Sequence, residues 1–176
     1  MIMTVKNIRA ALGVKPCVID KRPGCYRWWF KEEAAHQLLD QLPNIEWERI
    51  QKRVIDAEVY YALYFGIAKD MRQRLKWHIC QHHTPSAVKS GTLSTLRKTL
   101  SALLGIDMTL SEAAVNKFID ENCMVECEYT ATKKEAEKIE KAELTKNYYP
   151  LNIQENPNLD KETKAALKDL RKKYRK

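Results

Sequence analysis

A chain of 176 residues is long enough for one compact domain with its own core. Apolar residues at 44% and charged residues at 31% exclude wholesale disorder, and no apolar run approaches the roughly 18–20 residues of a membrane-spanning helix. The formal charge of +8 favours polyanions, because each phosphate neutralised by Lys or Arg releases counterions; a merely soluble basic protein fits that charge equally well. The five cysteines, an odd number, and a start without the apolar stretch of an export signal point to reduced thiols and a cytoplasmic location.

In chain order, residues 3–13 read as a short helix stopped by Gly13. Arg22-Pro23-Gly24 forms a turn ahead of Cys25–Phe30, a run of strand-formers. Residues 31–41 are helical and end before Pro43, and residues 44–58 are a polar connection of open shape. Val59–Phe65 is the second strand, stopped at Gly66. Asp70 caps a helix to about His82, with Met71, Leu75 and Ile79 at four-residue spacing. Residues 91–104 carry a leucine stripe closed by Gly105, and Ser111 opens another helix to about Glu121. Cys123–Thr130 alternates like a third strand, and Thr132 caps a charged helix to about Tyr148, ended by Pro150. This order fits an α+β domain with a small three-stranded antiparallel sheet flanked by helices.

The tail, residues 160–176, holds eight Lys/Arg against three Asp/Glu. It reads as a basic helix or mobile arm that contacts phosphates, or else as a frayed, solvated terminus. Lys89 to Lys98, with Gly91, hydroxyl residues and Arg97 at a helix start, suits a DNA phosphate. It lacks the Gly-x₄-Gly-Lys-Ser/Thr spacing of a nucleotide-binding loop, so no nucleotide cofactor is expected. His78, Cys80, His82 and His83 cluster, but the paired Cys-x₂-Cys spacing of structural zinc sites is absent.

Three separated clusters stand in order: Gly24-Cys25-Tyr26; Tyr64-Phe65-Gly66 followed by Arg74 and His78; and Ala136 with Glu140, ahead of Pro150-Leu151-Asn152. Across about residues 22–153 the chain resembles the GIY-YIG nuclease family, named for tripeptides on two neighbouring strands. In that family an Arg and often a His follow the second Tyr by ten and fourteen residues, and a Glu lies four residues after an Ala on a later helix. Arg74, His78, Ala136 and Glu140 hold those positions. Cys25 and Phe65 replace the central Ile of each tripeptide, and Pro150 and Asn152 stand one residue closer than in the family pattern.

The resemblance implies a metal-dependent DNA endonuclease. Glu140 would hold one Mg²⁺ or Mn²⁺, with Glu143 as its competitor, since a hard cation prefers carboxylate oxygen. Tyr64 would be the base or the water-orienting group and Tyr26 its partner, with His78 shuttling a proton or holding the water. Arg74 would steady the phosphate and Asn152 would orient the carboxylate or a water. Without the resemblance, Glu140 reads as a solvated carboxylate in a Lys/Glu run and the tyrosines as ordinary strand aromatics. DNA contacts are expected from Lys69, Lys89, Arg97, Lys98, Arg171 and Lys172.

The expected organisation is an N-terminal helix or arm (residues 1–21), a nuclease domain (22–153) with helical insertions at about 31–58 and 84–121, and a basic C-terminal helix or arm (154–176). The expected partner is DNA, with a homodimer left open. The competing readings are a non-catalytic DNA-binding module on the same fold and a basic adaptor working through the insertions. Trp28, Trp29 and Trp47 read as packing rather than base-stacking residues.

Overall fold

The computed structural model describes all 176 residues. Five strands, β1 (Ile2–Thr4), β2 (Gly24–Lys31), β3 (Lys52–Ile55), β4 (Glu58–Ala68) and β5 (Cys123–Tyr129), form one antiparallel sheet in the order β1-β5-β2-β4-β3. Eight helices accompany it: α1 (Val5–Leu12), α2 (Glu32–Leu39), α3 (Met71–Cys80), α4 (Pro85–Ser90), α5 (Thr95–Leu103), α6 (Glu112–Asn122), α7 (Lys133–Lys146) and α8 (Lys161–Lys173). None is long and apolar enough to cross a membrane.

The α+β class stands, but the sheet has five strands rather than three. The two unforeseen strands are short and lie at its edges, where little burial writes a pattern into the sequence. β3 falls in the connection left open at residues 44–58. Its hairpin turns through Asp56 and Ala57, both at positive φ (49° and 66°), so the usual Asn-Gly or Asp-Gly signal of such a turn is missing. β4 continues through Gly66 to Ala68 instead of stopping there.

The centre strand β2 is apolar on both faces because both are covered. Tyr26, Trp28 and Phe30 enter the main core, with Leu75 and Ile79 of α3 and Leu96 and Leu100 of α5. Cys25 and Trp29 face a second core beneath α7, with Ala136, Leu144 and Tyr149. Ala136 is fully buried and its carbonyl lies 3.6 Å from the Cys25 sulfur. So small a residue lets α7 approach β2 closely and sets Glu140 one turn further along.

The expected helix over residues 91–104 divides in two. Gly91, at φ 77°, closes α4, and α5 starts only after Ser94, whose hydroxyl accepts the Arg97 amide. The basic tail forms a helix that is bonded to the rest of the chain. Asp160 caps α8, Thr163 and Leu167 are buried, and the last residues bond back through Tyr174 O to Met108 N and Lys176 O to Thr109 N. α8 packs on α5.

Candidate active site

Strand register brings the two glycine-tyrosine tripeptides together. Tyr26 on β2 pairs with Gly66 on β4, and Trp28 pairs with Tyr64 before a register shift at Trp29. A Cβ on Gly66 would lie 2.5 Å from the Tyr26 hydroxyl oxygen, so only glycine leaves room for that ring. Gly24 is held by crowding too: a Cβ there would lie 2.2 Å from the Glu128 carbonyl. The tripeptides are thus steric devices that lay one tyrosine across the neighbouring strand.

Around that crossing the expected side chains converge. The Tyr26 hydroxyl is 2.8 Å from His78 Nε2, and His78 Nδ1 is 2.6 Å from Ser94 Oγ; all three residues are buried. Tyr64 is half-buried, its ring 6.3 Å from that of Tyr26. It lines a cavity of about 130 Å³ with Glu140, Asn152, Gln154 and Glu155. Arg74, one turn before His78 on α3, stacks on Trp77 with its guanidinium carbon 4.9 Å from the ring centroid.

The electrostatics tie these groups into one site. Burial lifts the Tyr64 hydroxyl above its ordinary value, and Arg74 and the Tyr26 hydroxyl pull it back. Tyr26 is pushed further up by burial and by Tyr64, with Arg74 again opposing. Burial, then Arg74 and Arg97, hold His78 down to about 3, so its imidazole is neutral at physiological pH. Burial, Glu155 and Glu137 lift Glu140 above the usual carboxylate range, against Arg74. One guanidinium therefore acts on both tyrosines, the histidine and the glutamate.

A family model described as the GIY-YIG catalytic domain matches residues 24–173. The chain belongs to the GIY-YIG family. The match extends through α8, past the end of the segment in which the motifs lie. Comparison with curated proteins and with solved structures gave no match.

Within this GIY-YIG domain three of the residues weighed for the site are engaged by the chain itself. Asn152 bonds to the backbone of β4: its amide nitrogen donates to Phe65 O at 2.7 Å and its oxygen accepts from Phe65 N at 2.9 Å. It holds the β4 backbone between Tyr64 and Gly66. Glu143 is already engaged through one of its two carboxylate oxygens. It is ion-paired to Arg27 at 2.7 Å and accepts from Tyr149 and Asn147; burial lifts it, but those partners outweigh burial and hold it low. Arg97 is unavailable to a phosphate. Fully buried, it donates to His83 Nε2, to the carbonyls of His78 and Ile79, and to Asn116.

The other basic residues fall into two groups. Lys69 lines a cavity of about 520 Å³ over α3, with Arg74, Lys76 and Trp77. Lys98, Arg171 and Lys172 line another of about 690 Å³, with Lys164, Lys168 and Arg175. Lys89 is exposed, and its carbonyl accepts from Arg175. Residues 153–155 wall both the second cavity and the one containing Tyr64 and Glu140. Sequence reading missed Lys164, Lys168, Arg175 and Ser94; the last carries a helix-cap signal, but nothing local relates it to His78 sixteen residues earlier.

A divalent cation suits these residues. Glu140 is a half-buried carboxylate with no ion pair or hydrogen bond in the chain, and Glu155 destabilises its charge further. A cation relieves both penalties. No three acidic, His or Cys side chains gather in one place. The protein's share would be one or two carboxylates, a set that fits an ion such as Mg²⁺ that keeps several waters.

Proposed function

We propose that the chain is a divalent-metal-dependent endonuclease that hydrolyses DNA phosphodiester bonds. The observation that carries this reading is the convergence of an unpartnered carboxylate (Glu140) and a partly exposed hydroxyl (Tyr64) on one cavity, with Arg74 acting on both. Glu140 holds the cation, which when bound supplies Lewis-acid stabilisation to the phosphate and the leaving oxygen. Arg74 offers forked donors to the non-bridging oxygens, where charge grows in the transition state. Its stacking on Trp77 limits its rotamers without occupying its hydrogens. Tyr64, the more exposed tyrosine, orients the attacking water, and Tyr26 supports it from within the core.

The same reading gives the substrate a path. Six cations (Lys98, Lys164, Lys168, Arg171, Lys172 and Arg175) face a single acid, Glu155, in the cavity beside α8. No aromatic side chain lines it, so it suits backbone phosphates rather than stacked bases. Across the site, the cavity that shares Arg74 combines Lys69 and Lys76 with Trp77. DNA lying over Glu140 would meet positive charge on both flanks, with α8 as part of the nuclease rather than an appended arm.

Incubation of supercoiled plasmid and a branched oligonucleotide with Mg²⁺, with Mn²⁺ and with chelator tests this function. Metal-dependent nicking is expected, and salt-sensitive binding without nicking at any metal concentration would favour a non-catalytic DNA-binding module instead.

A further inference from the structure

His78 is enclosed by aromatic rings, edge-on to Trp28 with centroids 6.1 Å apart and stacked on Trp77 at 5.7 Å. Its two ring nitrogens have one polar neighbour each: Tyr26 at Nε2 and Ser94 at Nδ1. Which nitrogen carries the proton therefore decides the direction of every hydrogen bond in the row.

Ser94 settles that direction. Its amide donates to Gln81 Oε1 at 2.7 Å, and its hydroxyl oxygen accepts the Arg97 amide at 3.4 Å. The remaining group is the hydroxyl hydrogen, and the acceptor in reach is His78 Nδ1 at 2.6 Å. Ser94 is fully buried, so no water can serve in its place. Were Nδ1 protonated, two hydrogens would face each other or the hydroxyl would be left as an orphaned buried donor, which protein interiors strongly disfavour. Nδ1 must then be the bare nitrogen and Nε2 the protonated one.

We propose that Ser94, at the start of α5, is a positioning residue that locks His78 in its Nε2–H form. The row then runs one way: Ser94 O–H to His78 Nδ1 and His78 Nε2–H to the Tyr26 oxygen, which leaves the Tyr26 hydrogen free to donate. A Tyr26 oxygen that already accepts from His78 makes its own O–H a stronger donor, and the nearest phenol is Tyr64, which opens on the cavity. His78 has no free lone pair in this arrangement, so it acts as a donor to Tyr26 and not as a proton relay. The catalytic meaning of the lock rests on the nuclease reading; the tautomer itself does not.

The test is nitrogen NMR of the imidazole in the intact, ¹⁵N-labelled protein, paired with kinetics of Ser94→Ala and Ser94→Thr. The wild type is expected to show a protonated Nε2 and a bare Nδ1. Ser94→Ala is expected to lose that single form and to lower kcat roughly 10- to 100-fold at little change in KM. Ser94→Thr keeps the hydroxyl and is expected to restore both. A wild-type spectrum with Nδ1 protonated overturns the proposal, as does a Ser94→Ala protein with full kcat. Should Ser94→Ala not fold, the wild-type spectrum and the threonine variant decide. A wild type that cuts no DNA yet shows the Nε2–H form would defeat the nuclease reading and leave the lock standing.

Discussion

Asn152 grips the backbone of Phe65 at two points, donating to its carbonyl and accepting from its amide, across 87 residues of sequence. This clamp fixes β4 where Tyr64 and Gly66 flank Phe65, so the last motif residue in the chain holds the tyrosine strand. Removing the side chain strands two buried backbone groups. Asn152→Ala should cost about 2–4 kcal/mol, from two orphaned groups at about 1–3 kcal/mol each less what local relaxation recovers. Denaturant unfolding reads this directly, and a variant as stable as wild type would show the clamp to be idle.

Gly66 and Tyr26 should behave as a coupled pair. Gly66→Ala places a methyl group 2.5 Å from the Tyr26 oxygen and should cost about 1–3 kcal/mol through overpacking. In a Tyr26→Ala background the ring is gone, and the same change should cost under ~1 kcal/mol. A double-mutant cycle by thermal unfolding measures the difference; additive effects would place the clash elsewhere.

Glu140 and Glu143 should respond in opposite senses to loss of charge. Glu140 is held above its ordinary 4.5, so its contribution to stability is largest at acid pH and declines as pH rises through the folded value. Glu143 is held below 4.5, so its contribution is present at neutral pH and is lost as pH falls through the folded value. At pH 7 without metal, Glu140→Gln should raise Tm and Glu143→Gln should lower it. The same direction for both would mean that the two carboxylates do not occupy these distinct settings.

Stability should also fall on mild acidification. Free histidine titrates near 6.5, whereas folded His78 stays neutral down to about 3 and His83 is depressed by burial and by Arg97. Below pH 6.5 the unfolded chain takes up protons that the folded chain does not. Each such group steepens the loss toward about 1.4 kcal/mol per pH unit. Urea unfolding at pH 7.5 and 5.0 should show a clear drop, and a flat profile would contradict the burial of these imidazoles.

Much of this was legible in the sequence, for identifiable reasons. Asp70 and Thr132 mark helix starts by local hydrogen bonds that depend on a few neighbours, and both caps form. Glycine before Tyr26 and after Tyr64 leaves a local trace of a close approach. Arg97 left none: it lies on an amphipathic helix like any surface arginine, and its burial against His83 and Asn116 depends on how α3, α5 and α6 meet. The Ser94–His78 bond, the Asn152 clamp and the pairing of Glu143 with Arg27 are likewise products of packing. Edge strands β1 and β3 are too short and too exposed to impose a period.

Cleavage of a labelled duplex in Mg²⁺ under single-turnover conditions, by wild type, Glu140→Gln and Glu143→Gln, tests the central claim most directly. Wild type should cut, Glu140→Gln should bind DNA and remain folded but lose cleavage by several orders of magnitude, and Glu143→Gln should retain activity at temperatures where it is folded. Full cleavage by Glu140→Gln would contradict the assignment of this carboxylate as the metal ligand of the site.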